Sequence, residues 1–121
     1  MRRLDIVIAD NDRTSAESLA SSLLHSFRSV HIVHSSGELR AAILKYRAPL
    51  AVVDLETVEL PEVETLTHDL GIRVVCTHRL ADEAMWANVL GRGAIDCCHN
   101  NDVQSIVDAF KRDQQARSQA A

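Results

Sequence analysis

Four apolar residues in succession, Leu50-Ala51-Val52-Val53, stand between Pro49 and Asp54, and no other stretch constrains the fold as much. Proline is not tolerated in a helix interior, so the run after it reads as a strand, and a strand without polar alternation is buried on both faces. Strands of that kind belong to parallel sheets covered by helices on both sides. In such sheets ligands bind in the crevice beyond the carboxyl ends of the strands. Asp54 stands where this strand runs out, so its carboxylate is a candidate for chemistry; the plainer alternative is a solvated strand-end carboxylate or a helix cap.

The rest of the chain supplies neighbours for that strand. Leu4 to Ala9 reads as a first strand ending in Asp10-Asn11-Asp12. Thr14-Ser15-Ala16-Glu17 has capping-box spacing, and Ala16, Leu19, Ala20, Leu23, Leu24 and Phe27 recur at helical intervals, predicting a helix of about four turns. Val30 to His34 is a short alternating strand nearer the edge, and Ser35 opens a second helix bearing Leu39, Ala42, Ile43 and Tyr46. After an acidic stretch from Glu56 to Glu59, Pro61 can open a short third helix with Val63, Leu66 and Leu70 inside, stopped by Gly71. Ile72 to Thr77 is a fourth strand, Ala81 to Leu90 a fourth helix and Ala94 to Cys98 a fifth strand. Asn101, with Gln104 three residues on, can cap a last helix carrying Val103, Ile106, Val107 and Phe110; the polar stretch after Arg112 is expected to fray. Five strands alternating with five helices through short loops predict a doubly wound α/β fold with a parallel sheet. With the first strand central, the Asp10 cluster, Asp54 and Thr77 converge on one crevice.

At 121 residues, 46% hydrophobic and 25% charged, the chain suits one domain with a packed core. No apolar run reaches the length of a membrane span, and the run after Met1-Arg2-Arg3 is broken by Asp5 and Asp10, unlike a secretory signal, so a cytoplasmic protein is expected. A net charge of −4 argues against nucleic-acid binding by this domain. Three cysteines, two of them adjacent, make no disulfide framework.

Taken in order, the strand into Asp10-Asn11-Asp12, then Val52-Val53-Asp54-Leu55, Val74-Val75-Cys76-Thr77 and Gly93-Ala94-Ile95-Asp96 make the chain resemble a response-regulator receiver domain of two-component signalling systems. The resemblance, to the chemotaxis-type flavodoxin-like fold, runs from Leu4 to about Lys111. It implies strand order 2-1-3-4-5, a receiver domain over residues 1–113, and a polar tail or the start of a linker over 114–121. It implies Asp54 as phosphoacceptor from a histidine kinase or phosphotransfer protein, with Thr77 offering its hydroxyl to the phosphoryl group. Magnesium would be held by Asp10, Asn11, Asp54 and the backbone carbonyl of Glu56. The surface of the fourth helix, fifth strand and fifth helix, with Trp86 toward it, would change partners or pair two copies. The domain would touch neither nucleic acid nor membrane, and its catalysis would extend no further than its own phosphorylation and dephosphorylation.

Several positions depart from the family pattern. Asn100 stands where a Lys usually binds the phosphoryl group, and an amide brings no charge; charge-assisted bonds are about twice as strong as neutral ones. Asn11 stands where a second carboxylate is common, Cys97 where an aromatic residue couples to the Thr, and Thr57-Val58 where Met-Pro is usual. These departures open a second reading, a degenerate pseudo-receiver that binds partners without phosphorylation. Asp12 reads as the cap of the first helix and Asp10 as the metal residue. Zinc on Cys76, His78, Cys97, Cys98 and His99 fits poorly, because adjacent strand residues point to opposite faces. A nucleotide-binding enzyme fits poorly too, since no glycine-rich loop follows the first strand.

Overall fold

The computed structural model describes residues 4–120. Strands β1 (Asp5–Ala9), β2 (Ser29–Val33), β3 (Leu50–Asp54), β4 (Arg73–His78) and β5 (Asp96–His99) alternate with helices α1 (Arg13–Leu23), α2 (Ser36–Tyr46), α3 (Leu60–Glu64), α4 (Glu83–Gly91) and α5 (Val103–Ala120). All pairings are parallel, as the alternation of strands and helices predicts, and the order is β2-β1-β3-β4-β5, as the resemblance implies. Parallel neighbours require crossovers, and the crossover helices cover both faces.

β3 is buried along its whole length, and its alternate residues enter two separate cores. Ala51 and Val53 pack with Val7, Val74 and Cys76 beneath α2, α3 and α4. Leu50 and Val52 pack with Ile6, Ile8 and Val75 beneath α1 and α5. β2 is an edge strand, as its alternation suggests.

The helix ends correct the sequence reading in several places. α1 is capped by Asp12, as read from the sequence, its carboxylate accepting from the Thr14 and Ser15 amides; what fails is the box at Thr14 and Glu17, because the helix has already begun there. α1 also stops at Leu23, short of four turns. His25 and Ser26 are weak helix formers, and Phe27 enters the core from the turn instead, edge-to-face on Phe110 at 5.7 Å and 83°. Burying such a ring is worth about 1.5–3 kcal/mol. At α2 the cap is Ser35, paired reciprocally with Glu38. Tyr46, expected in the apolar stripe, lies outside the core and stacks on His31 at 3.6 Å.

α3 widens into a π-turn over Thr65–Asp69, closed by the Leu70 amide on the Thr65 carbonyl at 3.3 Å. The added residue rotates Leu70 out of the expected stripe into solvent, and Gly71 at φ +67° ends the segment. The π-turn rests on the α4–β5 connection, where Thr67 Oγ1 donates to the Arg92 carbonyl at 2.7 Å. A Cβ on Gly93 would lie 2.5 Å from that same Oγ1, so only glycine fits there.

α4 begins at Glu83 rather than Ala81, since Ala81 takes φ +42° and Asp82 caps the helix through the Met85 amide. β5 begins at Asp96 rather than Ala94. α5 is capped by Asp102, not Asn101, through the Ser105 amide and hydroxyl. It runs on to Ala120 through the stretch expected to fray. Gln114, Gln115, Ala116 and Arg117 are strong helix formers, and Arg73 of β4 anchors Asp113 with Nε to Oδ2 at 2.9 Å.

Candidate functional site

Strand register brings the candidate residues into one row. Thr77 is the direct partner of Asp54, and Asp10 follows Ala9, the partner of Val53, so Asp10, Asp54 and Thr77 lie side by side at three adjacent strand ends. They share pleat parity with Ile8, Val52 and Val75 and therefore face the α1 and α5 side. All three are buried, at 8%, 5% and 3% exposure.

Each carboxylate is partly satisfied. Asp10 Oδ1 accepts from the Asp12 amide at 2.9 Å. Asp54 Oδ2 accepts from the Glu56 amide at 3.3 Å, and Oδ1 from the Thr77 hydroxyl at 3.4 Å. No Lys or Arg forms an ion pair with either among the described residues. Burial pushes both carboxyls above the usual carboxylate range, and for Asp54 the neighbouring charge of Asp10 adds to it. Two buried anionic groups sharing a crevice with no cation make a site that favours positive charge.

The loops above the row are bonded together. The Asp54 carbonyl accepts from the Thr57 and Val58 amides at 2.9 Å each, and the Leu55 amide donates to the Thr77 carbonyl. Thr57 Oγ1 accepts from the Asn11 amide at 2.9 Å, joining the β3–α3 loop to the β1–α1 loop, while Val58 is fully buried. The pair standing where Met-Pro is usual thus closes the loops; its polar-apolar alternation after Asp54 is the only sign of this in the sequence. His34, which follows β2, is half-buried and donates from Nδ1 to the Asp10 carbonyl at 3.0 Å, since a carbonyl can only accept. Glu56 sends its side chain outward to Arg79 at 2.8 Å.

The remaining candidates lie at the rim. Asn11 is exposed, with its backbone rather than its side chain tied down. Asn100 follows the end of β5, where it lines a shallow hollow with Thr14 and Ser15 of α1; no hydrogen bond links it to Asp54 among the described residues. Cys97 lies in the core beneath α4 and Cys98 in the other, opposite Thr77 in register. Burial pushes the Cys98 thiol up to about 12 and the Cys76 and Cys97 thiols upward as well, which leaves them protonated and unreactive. Among the described residues no three His, Cys, Asp or Glu side chains converge as a ready-made cage. Trp86 is partly exposed, its indole donating to Asp96 at 3.1 Å, and Arg112 of α5 reaches the other oxygen of Asp96.

No family model and no curated protein matches the sequence. Solved structures do match. The chain superposes with a TM-score of 0.80 on the signal receiver domain of a DNA-binding response regulator (merR) from Colwellia psychrerythraea 34H, at 14% identity over 93% of this chain and 98% of that one. A LuxR-family two-component response regulator from Aurantimonas sp. SI85-9A1 gives 0.80 at 14% identity, over 92% and 84%. The isolated receiver domain of RcsB from Salmonella enterica serovar Typhimurium, solved with the phosphomimetic BeF3−, gives 0.76 at 14%, over 92% and 90%. The fold is the receiver fold. At these identities the fold is what is shared, and it places Asp54 at the carboxyl edge of the central strand. No described helix of this receiver fold is long and apolar enough to cross a membrane.

Proposed function

We propose that this chain is the receiver module of a two-component response regulator and takes a phosphoryl group on Asp54 from a histidine kinase or phosphotransfer protein. The observation that carries the reading is the juxtaposition of two buried carboxylates, Asp10 and Asp54, with the Thr77 hydroxyl on the next strand. Close receiver-fold relatives in shape, one solved with a phosphomimetic, support it. The donor set suits magnesium, which binds through one or two carboxylates and keeps several waters. Asp10, Asp54 and the Glu56 carbonyl would hold it, with Asn11 at the rim. A cation bound there supplies charge screening between the carboxylate and the incoming phosphoryl group.

One Asp54 oxygen forms a bond to phosphorus as the phosphorus–nitrogen bond of the phosphohistidine breaks, and the released imidazole takes a proton. Thr77, which now donates to Asp54 Oδ1, is placed to donate to a phosphoryl oxygen instead. The α4–β5–α5 surface then changes partners or pairs with a second copy. The same reading makes this a cytoplasmic protein whose catalysis is confined to its own acyl phosphate.

A second reading, the phosphorylation-independent pseudo-receiver, is favoured by the absence of any described Lys or Arg bonded to the carboxylate pair and by Cys97 in place of a switch aromatic. Incubation with acetyl phosphate and magnesium followed by intact mass separates the two. One added phosphoryl group that vanishes in Asp54→Asn supports the receiver module; an unmodified wild-type mass leaves the pseudo-receiver.

A further inference from the structure

The groove between α3 and α4 plays no part in the phosphoacceptor row. It encloses about 400 Å3 open to solvent, with Leu55, Leu60, Met85 and Val89 as its floor and Asn88 at its edge. Leu55, Leu60 and Met85 pack on the core beneath yet remain half exposed. A methionine among aliphatic residues makes a surface that repacks to fit different shapes. Beside the groove Leu80 is 71% exposed, set outward by the turn in which Ala81 takes φ +42°. Alanine is unfavourable in that left-handed region, so apolar surface is kept in water here by a strained turn.

The rim is acidic. Asp82 lines the groove together with His78, whose ring lies 3.8 Å from Glu56; Glu59 and Glu83 flank it in sequence, and neither of these two glutamates has an ion-pair partner among the described residues. Arg79, the cation on the adjoining loop, is already bonded to Glu56. We infer that this groove docks a basic amphipathic segment of a partner protein, its apolar side chains on Leu60 and Met85 and its Lys or Arg side chains against Glu59, Asp82 and Glu83. Charge decides among the occupants. A second copy of this chain, at net −4, brings like charge to these carboxylates, and an anionic membrane or a nucleic acid is repelled. A helix with apolar anchors one turn apart matches a groove of this form. The inference holds whether or not Asp54 takes up a phosphoryl group.

Random peptides displayed on phage are selected against the purified full chain. Enriched peptides are then synthesised and titrated by fluorescence anisotropy against wild type and the Glu59→Lys/Glu83→Lys double variant, whose two sites are exposed and whose fold is checked by circular dichroism. The expected result is enrichment of peptides combining Lys or Arg with spaced apolar residues, an affinity loss of about tenfold or more in the double variant, and amide shift changes centred on Leu60, Met85 and Asn88. Enrichment of acidic or uncharged peptides, no enrichment, or binding indifferent to the double variant would overturn the inference. So would a dimer, seen by sedimentation, that Met85→Glu dissociates, because the occupant would then be a second copy.

Discussion

Asp5 and Asp10 bracket β1 and expose similar fractions of their surface, at 9% and 8%, yet their carboxyls shift in opposite directions. At the amino end Arg28 grips Asp5 through two nitrogens, at 3.1 and 2.9 Å, and Ser29 donates at 2.6 Å, so its carboxyl falls below the usual range. At the carboxyl end burial is the main influence on Asp10, which has one amide donor and the anionic Asp12 and Glu56 nearby, and its carboxyl rises. Burial alone therefore does not determine the charge state of an acid. What differs is desolvation, which dominates at Asp10, and the supply of positive charge, which the fold provides at the end that only needs to hold together.

The largest effect is expected from Asp5→Asn, which removes the Arg28 pair and the Ser29 hydrogen bond together and should lower the urea midpoint at neutral pH. Because the folded Asp5 carboxyl lies below its ordinary 3.8, that stabilisation is present above 3.8 and disappears as pH falls through the folded value. At the other end, magnesium at ten times its Kd should raise stability by about 1.4 kcal/mol, measured as a Tm increase that is lost in Asp10→Asn and Asp54→Asn.

Without metal, Asp54→Asn should stabilise the protein by about 1 kcal/mol at neutral pH, since an ionised group without a cation is replaced by a neutral one. The folded Asp54 carboxyl lies above 3.8, so the advantage shrinks as pH drops through that raised value and is absent below 3.8. Asp5 and Asp54 variants thus have opposite signs over the same pH series, and matching signs would break the comparison. The smallest effect is expected from Asn100→Lys, which would make the carboxyl end resemble the amino end. It should add about 0.5 kcal/mol to the wild type and reduce the advantage of Asp54→Asn by a similar amount.

The sheet was legible because β3 and its neighbours are apolar runs too short for helices and bounded by turn residues such as Pro49 and Gly71, and the strand ends carried Asp10, Asp54 and Thr77 with them. The caps were less legible. Several residues near α1 and α5 carry suitable side chains; Asp12 reads as the cap of α1 beside a competing box at Thr14, and only the direction of the incoming chain selects Asp102 over Asn101. The π-turn that turns Leu70 outward has no compositional sign at all, since Thr65 to Asp69 reads as ordinary helix. Thr57 and His34 were missed for a related reason. Their partners, the Asn11 amide and the Asp10 carbonyl, are backbone groups on distant segments, and no side-chain pattern announces them.

Cys97 and Cys98 are consecutive in the chain but are enclosed in opposite layers, and both are buried while the sheet is closed, at 9% and 5% exposure. Alkylation of either one therefore records an opening event, and the order in which the two are labelled during slow exchange tells which side of the molecule loosens first. The protein thus carries its own pair of clocks, one for each half of its interior, without any engineered probe.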